Sequence, residues 1–336
     1  MKDEITLRDL SRIAGLSINT ISRALNGQDG VSDRTRAYVK TLASEHNYRP
    51  NMMARSMRGR QSNIIGTLVG NIMDQFFVQL LAGVEEEVAR EAMPIIIGNT
   101  DENLQRQKAS LDLLLSYGCR NIIITPVHGD HAFIDELTRA RVSFVIADRA
   151  IERMPKLNQV SINNRQDLFR ATEYLIQCGH RKIAIVNQHS AILTETERVA
   201  GYEQALAAHG IARSGSYVLN GRNAAHAAQL CTELFSRPER PTALLIAKDT
   251  LALSAVSAIY ELGLAVPNDL SVLIYGSPEW SQTLRPYFTC MERTVKDIGR
   301  TSARILIDKM KGEGGTGPVN ITFDSSLKIR DSVRII

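Results

Sequence analysis

The chain is poor in the residues that would commit it to several common fates. Its four cysteines, Cys119, Cys178, Cys231 and Cys290, stand far apart with no Cys-x-x-Cys, so neither a disulfide framework nor a zinc site is indicated. Reduced thiols fit a cytoplasmic protein. No run of about eighteen apolar residues occurs, and the chain opens Met-Lys-Asp-Glu without an apolar leader. No membrane partner is expected, and export as a sugar-binding protein is argued against. The seven histidines show neither a metal spacing nor a Ser/His/Asp constellation. Gly312 to Gly317 neither follows a strand nor opens a helix, as a phosphate loop must. No catalytic residue, metal or cofactor is therefore expected.

The net charge is only +4, but it is unevenly placed. Residues 1 to 60 hold eleven Lys or Arg against six Asp or Glu, and the remainder holds twenty-nine against thirty. The positive excess sits where a polyanion would want it. A length of 336 residues is too long for one compact core and suggests two or three domains.

Residues 6 to 27 read as two short helices folded against each other. Thr6 is an N-cap with Asp9 three residues on, a capping-box variant, and Leu7, Leu10 and Ile13 recur at helical spacing before Gly15 stops the helix. Ser17 caps a second helix, in which Ile21 and Leu25 are expected to pack on Leu10 and Ile13. Ile18, Asn19, Ser22 and Arg23 then point outward. A major groove about 12 Å wide admits one helix, and its base edges are read by forked or amide donors and by apolar contact with a thymine methyl. A third helix, Val31 to Tyr48, opens on Ser32 as N-cap and brings Val39, Leu42 and Ala43 to the small core. Ser32, Arg34, Thr35 and Arg36 at its start suit phosphate.

These motifs, with Val-Ser-Asp-Arg-Thr-Arg, Asn-Tyr-Arg-Pro-Asn and Ala-Arg-Ser-Met following in order, closely resemble the headpiece of the LacI/GalR family of bacterial transcription repressors. The resemblance continues through Asp-Gln-Phe-Phe, Gly-His-Arg-Lys-Ile-Ala, Arg-Val-Ala-Gly-Tyr and Val-Pro-Asn-Asp-Leu-Ser-Val. It implies a ligand-controlled repressor of carbohydrate or sugar-acid metabolism genes that binds a palindromic double-stranded operator. It assigns DNA contacts to Thr6, Ser17, Ile18, Asn19, Thr20, Ser22, Arg23, Asn26 and Ser32. It also equates residues 50 to 61 with a hinge helix whose Asn51, Ala54 and Met57 enter the minor groove, Met57 as the apolar wedge. About eight residues cannot hold a helix alone.

From Ser62 onward, short β-branched runs alternate with amphipathic helices. Strands are expected at 64–69, 94–98, 121–125 and 143–147, then at 182–186, 242–246 and 270–275, all buried and parallel, with helices between them. The fold class is α/β: a helix-turn-helix headpiece (1–49), a hinge (50–61) and a two-lobed, doubly wound, periplasmic-binding-protein-like sensor (62–336). Lobe 1 would take about 62–161 and 292–322, and lobe 2 about 163–290 with the C-terminal end. The resemblance implies three crossings between them, near 161–163, 290–292 and 322–323. No heptad-bearing helix is appended before Ile336, so a homodimer is expected.

Matched to the family's effector site are Phe76, Phe77, Asp148, Arg198, Lys248 and Ser277, with Asn223 aligned less securely. Sugar-binding members usually carry Asn where Lys248 stands and Asp where Gly276 stands. With Lys248 beside Arg198, the cleft is expected to prefer an anion, a sugar acid or sugar phosphate. If Lys248 pairs with Asp148 or Asp249 instead, the site suits a neutral ligand or none. A cytosolic sugar-binding protein or a two-lobed α/β enzyme without DNA binding is the alternative reading. A nucleophile, base or metal cluster would favour the enzyme.

Overall fold

The structure is a computed structural model that describes residues 5–25, 27–48, 63–129, 131–151, 153–188, 192–315 and 317–336. The expected hinge and the residues Asn26, Asn51, Ala54 and Met57 lie outside these. Two compact units form, Met1–Ser62 and Asn63–Ile336.

The first unit holds α1 (Leu7–Ala14), α2 (Ile18–Leu25) and α3 (Asp33–Glu45). Its core is Leu10, Ile21, Ala24, Val39, Leu42 and Ala43. Ile13 is a correction, for it stands 46% exposed. At 100° per residue, Leu7 and Ala14 lie about 40 to 60° to one side of Leu10 and Ile13 about 60° to the other. The helix turns the Leu7–Leu10–Ala14 stripe toward the core, which Ala24 of α2 also joins. Gly15 ends α1 in the left-handed region at φ 65°, where a side chain would be strained.

The second unit contains two six-stranded sheets. Lobe 1 is built from β1 (Ile65–Val69), α4 (Gln75–Arg90), β2 (Ile95–Asn99), α5 (Leu104–Ser116), β3 (Asn121–Ile124), α6 (Ala132–Arg139), β4 (Ser143–Asp148) and β5 (Gln159–Ile162). Lobe 2 follows with α7 (Asn164–Gln177), β6 (Ile183–Gln188), α8 (Leu193–Ala208), β7 (Val218–Gly221), α9 (Ala224–Phe235), β8 (Ala243–Ile246), α10 (Ala252–Glu261), β9 (Ser271–Tyr275) and β10 (Thr289–Glu292). The chain returns to lobe 1 for α11 (Val295–Lys311) and β11 (Asn320–Phe323), then ends in lobe 2 with β12 (Ser326–Lys328).

Strand orders are β11-β5-β4-β3-β1-β2 and β12-β10-β9-β8-β6-β7. Every pairing is parallel except β10 with β12. Strand β2 departs from the buried pattern because it is a sheet edge, with Ile97 49% exposed. The sequence pattern missed β5, β7, β10 and β12, each of only three or four residues, too few to show a period. The three crossings fall between β5 and α7, β10 and α11, and β11 and β12.

Helices α4 and α11 cross at two glycines. A Cβ on Gly83 would stand 1.9 Å from the Lys296 carbonyl oxygen, and one on Gly299 1.9 Å from that of Leu80. This backbone approach seats the returning helix on lobe 1, so the later part of the chain completes the earlier part's core. The carboxyl ends of both sets of parallel strands lead into the segments that line one cleft, as doubly wound folds require of a ligand site.

Candidate functional site

In the first unit each helix begins on a hydroxyl cap. The Thr6 hydroxyl accepts from the Asp9 amide at 3.3 Å while the Asp9 carboxylate accepts from the Thr6 amide at 3.0 Å. Hydrogen bonds from the Thr6 side chain and backbone hold the Asp9 carboxyl below its usual range. The Ser17 hydroxyl accepts from the Thr20 amide at 3.1 Å, and that of Ser32 from the Thr35 amide at 3.2 Å. These caps fix where α2 begins and therefore which residues face out. Asn19 and Arg23 are exposed, four apart on one face, and Ile18, Thr20 and Ser22 are half-buried beside them. Arg36 is turned inward instead, donating to the Gln28 carbonyl at 3.1 Å, so it braces the turn between α2 and α3.

In the second unit a cavity of ≈ 250 Å³ lies between the lobes. Phe76, Phe77 and Asp148 line it from lobe 1, Arg198 and Lys248 from lobe 2. Phe76 and Phe77 meet edge to face with centroids 5.2 Å apart. Asp148 closes β4 at φ 69°, a conformation that costs a side-chain-bearing residue about 1 to 3 kcal/mol and recurs at functional sites. Burial pushes its carboxyl pKa up against the pull of Arg149 and Arg198.

The basic groups are all paired. Lys248 Nζ donates to Asp74 Oδ2 at 2.8 Å, a partner that the sequence reading missed in favour of Asp148 or Asp249. Asp74 also caps α4, its Oδ1 accepting from the Phe76 amide at 3.0 Å. Burial works to raise the Asp74 pKa, yet the Lys248 charge and hydrogen bond outweigh it and leave the carboxyl below its usual range. Arg198 donates to Glu195 at 3.0 Å, Asn164 at 3.0 Å and the Ala247 carbonyl at 3.1 Å, with its guanidinium 5.0 Å over the Tyr275 ring. Arg149 makes a two-pronged pair with Glu102 at 2.6 and 2.7 Å.

Two expected residues stand elsewhere. Ser277 lines a neighbouring cavity of ≈ 170 Å³ with Gln75, Asp249 and Arg293. Asn223 lines neither cavity, and its side chain accepts from the His226 amide at 2.9 Å as the N-cap of α9. Arg222 is likewise exposed, away from the cluster. His180 is buried with its Nδ1 2.8 Å from the Thr242 hydroxyl.

Gly276 stands where the resemblance leads one to expect an aspartate, and its surroundings leave no room for one. At φ 117°, a Cβ there would come within 3.0 Å of Asp249 and 3.1 Å of Arg293. Arg293 fills that space, bonded to Asp249 at 2.5 Å and stacked 5.0 Å over Phe76. Sequence reasoning missed Asp74, Glu102, Glu195 and Arg293 as cleft residues. Asp74 carried a usable signal, since an N-cap acid directly after a buried strand belongs at the strand's carboxyl end.

A hydroxyl-capped helix-turn-helix unit joined to a two-lobed sensor defines a DNA-binding transcription regulator with a ligand-binding domain, and not an enzyme. The comparisons agree. Residues 6–51 match the model of bacterial regulatory proteins of the lacI family, and residues 172–333 that of the periplasmic binding protein-like domain. The chain is 29% identical over 325 residues to catabolite control protein A of Priestia megaterium, covering 96% of this chain and 95% of that one. It is 28% identical over 331 residues to the HTH-type transcriptional repressor PurR of Photobacterium profundum, covering 98% of each. The lac repressor dimer bound to operator and the anti-inducer ONPF superposes with a TM-score of 0.85 at 25% identity, over 99% of this chain and 100% of that one. The transcriptional regulator CelR in complex with cellobiose gives 0.73 at 25% identity, over 98% and 100%. The chain belongs to the LacI family and is a sequence-specific DNA-binding transcriptional repressor. Among the described residues no helix is long and apolar enough to cross a membrane.

Proposed function

We propose that the chain acts as a homodimer on a palindromic operator of carbohydrate-metabolism genes, and that its cleft takes an uncharged, polyhydroxylated sugar. In this reading Arg23, Asn19 and Ile18 read major-groove edges, while Thr6, Ser17, Thr20, Ser22 and Ser32 position the backbone. Asn26, Asn51, Ala54 and Met57 keep the DNA-contact roles implied by the resemblance.

One observation carries the choice of ligand. Among the described residues lining the cavity, the cations Arg149, Arg198 and Lys248 each hold a carboxylate, and four carboxylates are present. The expectation of an anion rested on unneutralised cations, and that premise fails. A sugar acid or phosphate would meet Asp74, Glu102, Asp148 and Glu195 at close range, with no free guanidinium to receive it. Sugar hydroxyls both donate and accept, so they suit a lining whose ions are already matched, with the phenylalanines covering an apolar face. A structural relative holding the uncharged sugar cellobiose supports the same reading.

The test is titration calorimetry of the full chain with matched uncharged sugars, sugar acids and sugar phosphates. Heat from an uncharged member alone is expected. Saturable binding of only the charged members would overturn the proposal.

A further inference from the structure

Away from the three crossovers, a hydrogen-bonded ion pair between described residues, Asp74 with Lys248, joins lobe 1 to lobe 2 across the cleft. The two residues are 174 positions apart and sit on opposite walls of the cavity. Asp74 is immobilised at the head of α4, because its other oxygen is committed to the Phe76 amide. Lys248 leaves β8 one residue before the short 3-10 turn Asp249–Leu251, so its stem starts at the rim of the lobe 2 sheet. Their side chains are 11% and 12% exposed, which places the bond in a poorly solvated gap where the Coulomb attraction is less screened than at the surface and either charge left alone is costly.

We infer that Asp74 and Lys248 form a latch that holds the two lobes closed in the absence of any ligand. The surroundings support this use of Lys248. Arg293 is already tied to Asp249 and Arg198 to Glu195, so neither competes for Asp74. Asp249, beside Lys248 in the sequence, is withdrawn by the same Arg293 pair. Because a pre-closed cleft leaves a ligand only its residual volume to fill, these two residues govern entry to the site as well as its shape. The inference concerns the ligand-free lobes and stands or falls separately from the proposed class of sugar.

The experiment is a distance measurement within one subunit. Spin labels are placed on exposed Asp112 of α5 and Gln204 of α8 as Asp112→Cys and Gln204→Cys, the four native cysteines being buried. The labelled full chain is diluted into excess unlabelled chain, so that double electron-electron resonance reads one subunit. The ligand-free parent is expected to give a single narrow distance. Asp74→Asn, which keeps the helix cap, and Lys248→Met, which keeps the stem, should each add a longer-distance population. The double variant Asp74→Asn/Lys248→Met carries no stranded charge and should open no further than either single. Emission of Trp280, packed in lobe 2, checks folding of each variant. A parent-like distribution in either single variant would overturn the latch, and so would a double variant whose opening is the sum of the two.

Discussion

Arg198→Met separates a buried structural ion from an ordinary helical pair. Three residues apart on one helix, Arg198 and Glu195 would be worth only about 0.3 to 0.5 kcal/mol if exposed. Here the side chains are 4% and 5% exposed, and Arg198 also ties α8 to Asn164 and to the Ala247 carbonyl. Methionine keeps much of the stem volume but strands the Glu195 carboxylate, and breaking one side of a buried pair costs about 3 to 5 kcal/mol. The chain's single tryptophan, Trp280, stacks edge to face on Phe288 at 5.3 Å and reports unfolding of lobe 2. With a urea slope of about 1 to 3 kcal/mol per molar, the midpoint should fall by roughly 1 to 5 M. Adding Glu195→Gln, which removes the stranded charge, should recover a large part of the loss. A drop below about 1 kcal/mol, or no recovery in the double variant, would refute the burial argument.

Three further outcomes are expected. Gly83→Ala improves helix propensity by about 1 kcal/mol, yet its methyl would meet the Lys296 carbonyl at 1.9 Å. Overpacking of about 1 to 3 kcal/mol or more should dominate, and a thermal melt that rose would contradict the close crossing. Asp148→Asn should stabilise the second unit at pH 7. Burial raises the native carboxyl pKa above its unfolded value, so the wild-type group's contribution to stability is greatest below the unfolded pKa and is lost as pH rises through the folded one. The gain from the amide should therefore fade in acid, and urea midpoints at pH 7 and in the acid range would show it. Arg23→Ala should weaken operator binding by about 1 to 3 kcal/mol and relax one base position, read by gel shift against singly mutated duplexes; a uniform loss at all positions would assign Arg23 to phosphate.

What was legible in the chain follows from how local each signal is. Thr6, Ser17 and Ser32 act within one helical turn, and all three cap as read. Helix α9, Ala224–Phe235, falls between the strands expected at 182–186 and 242–246. Ile13 was misplaced because a stripe on an eight-residue helix can tilt either way until the helices it packs on are placed. The cleft was harder. Asp74 lies 174 residues from Lys248, and Gly276 shows its purpose only beside Arg293, so pairing across the fold was invisible to a reading that weighed near neighbours. The anion preference came from seeing the cations without their carboxylates. Asn223 was drawn to the cleft by alignment, where local chemistry, an Asn before an alanine-rich helix, already described a cap.

The most direct test couples the two units in one titration. A palindromic duplex selected from a randomised pool is end-labelled, bound by the full chain, and followed by fluorescence anisotropy while uncharged sugars, sugar acids and sugar phosphates are added in turn. An uncharged sugar should shift operator affinity by about 5- to 150-fold, the usual range of coupling between two sites, with charged analogues inert. A shift produced by the acids or phosphates, with every uncharged sugar inert, would contradict the account.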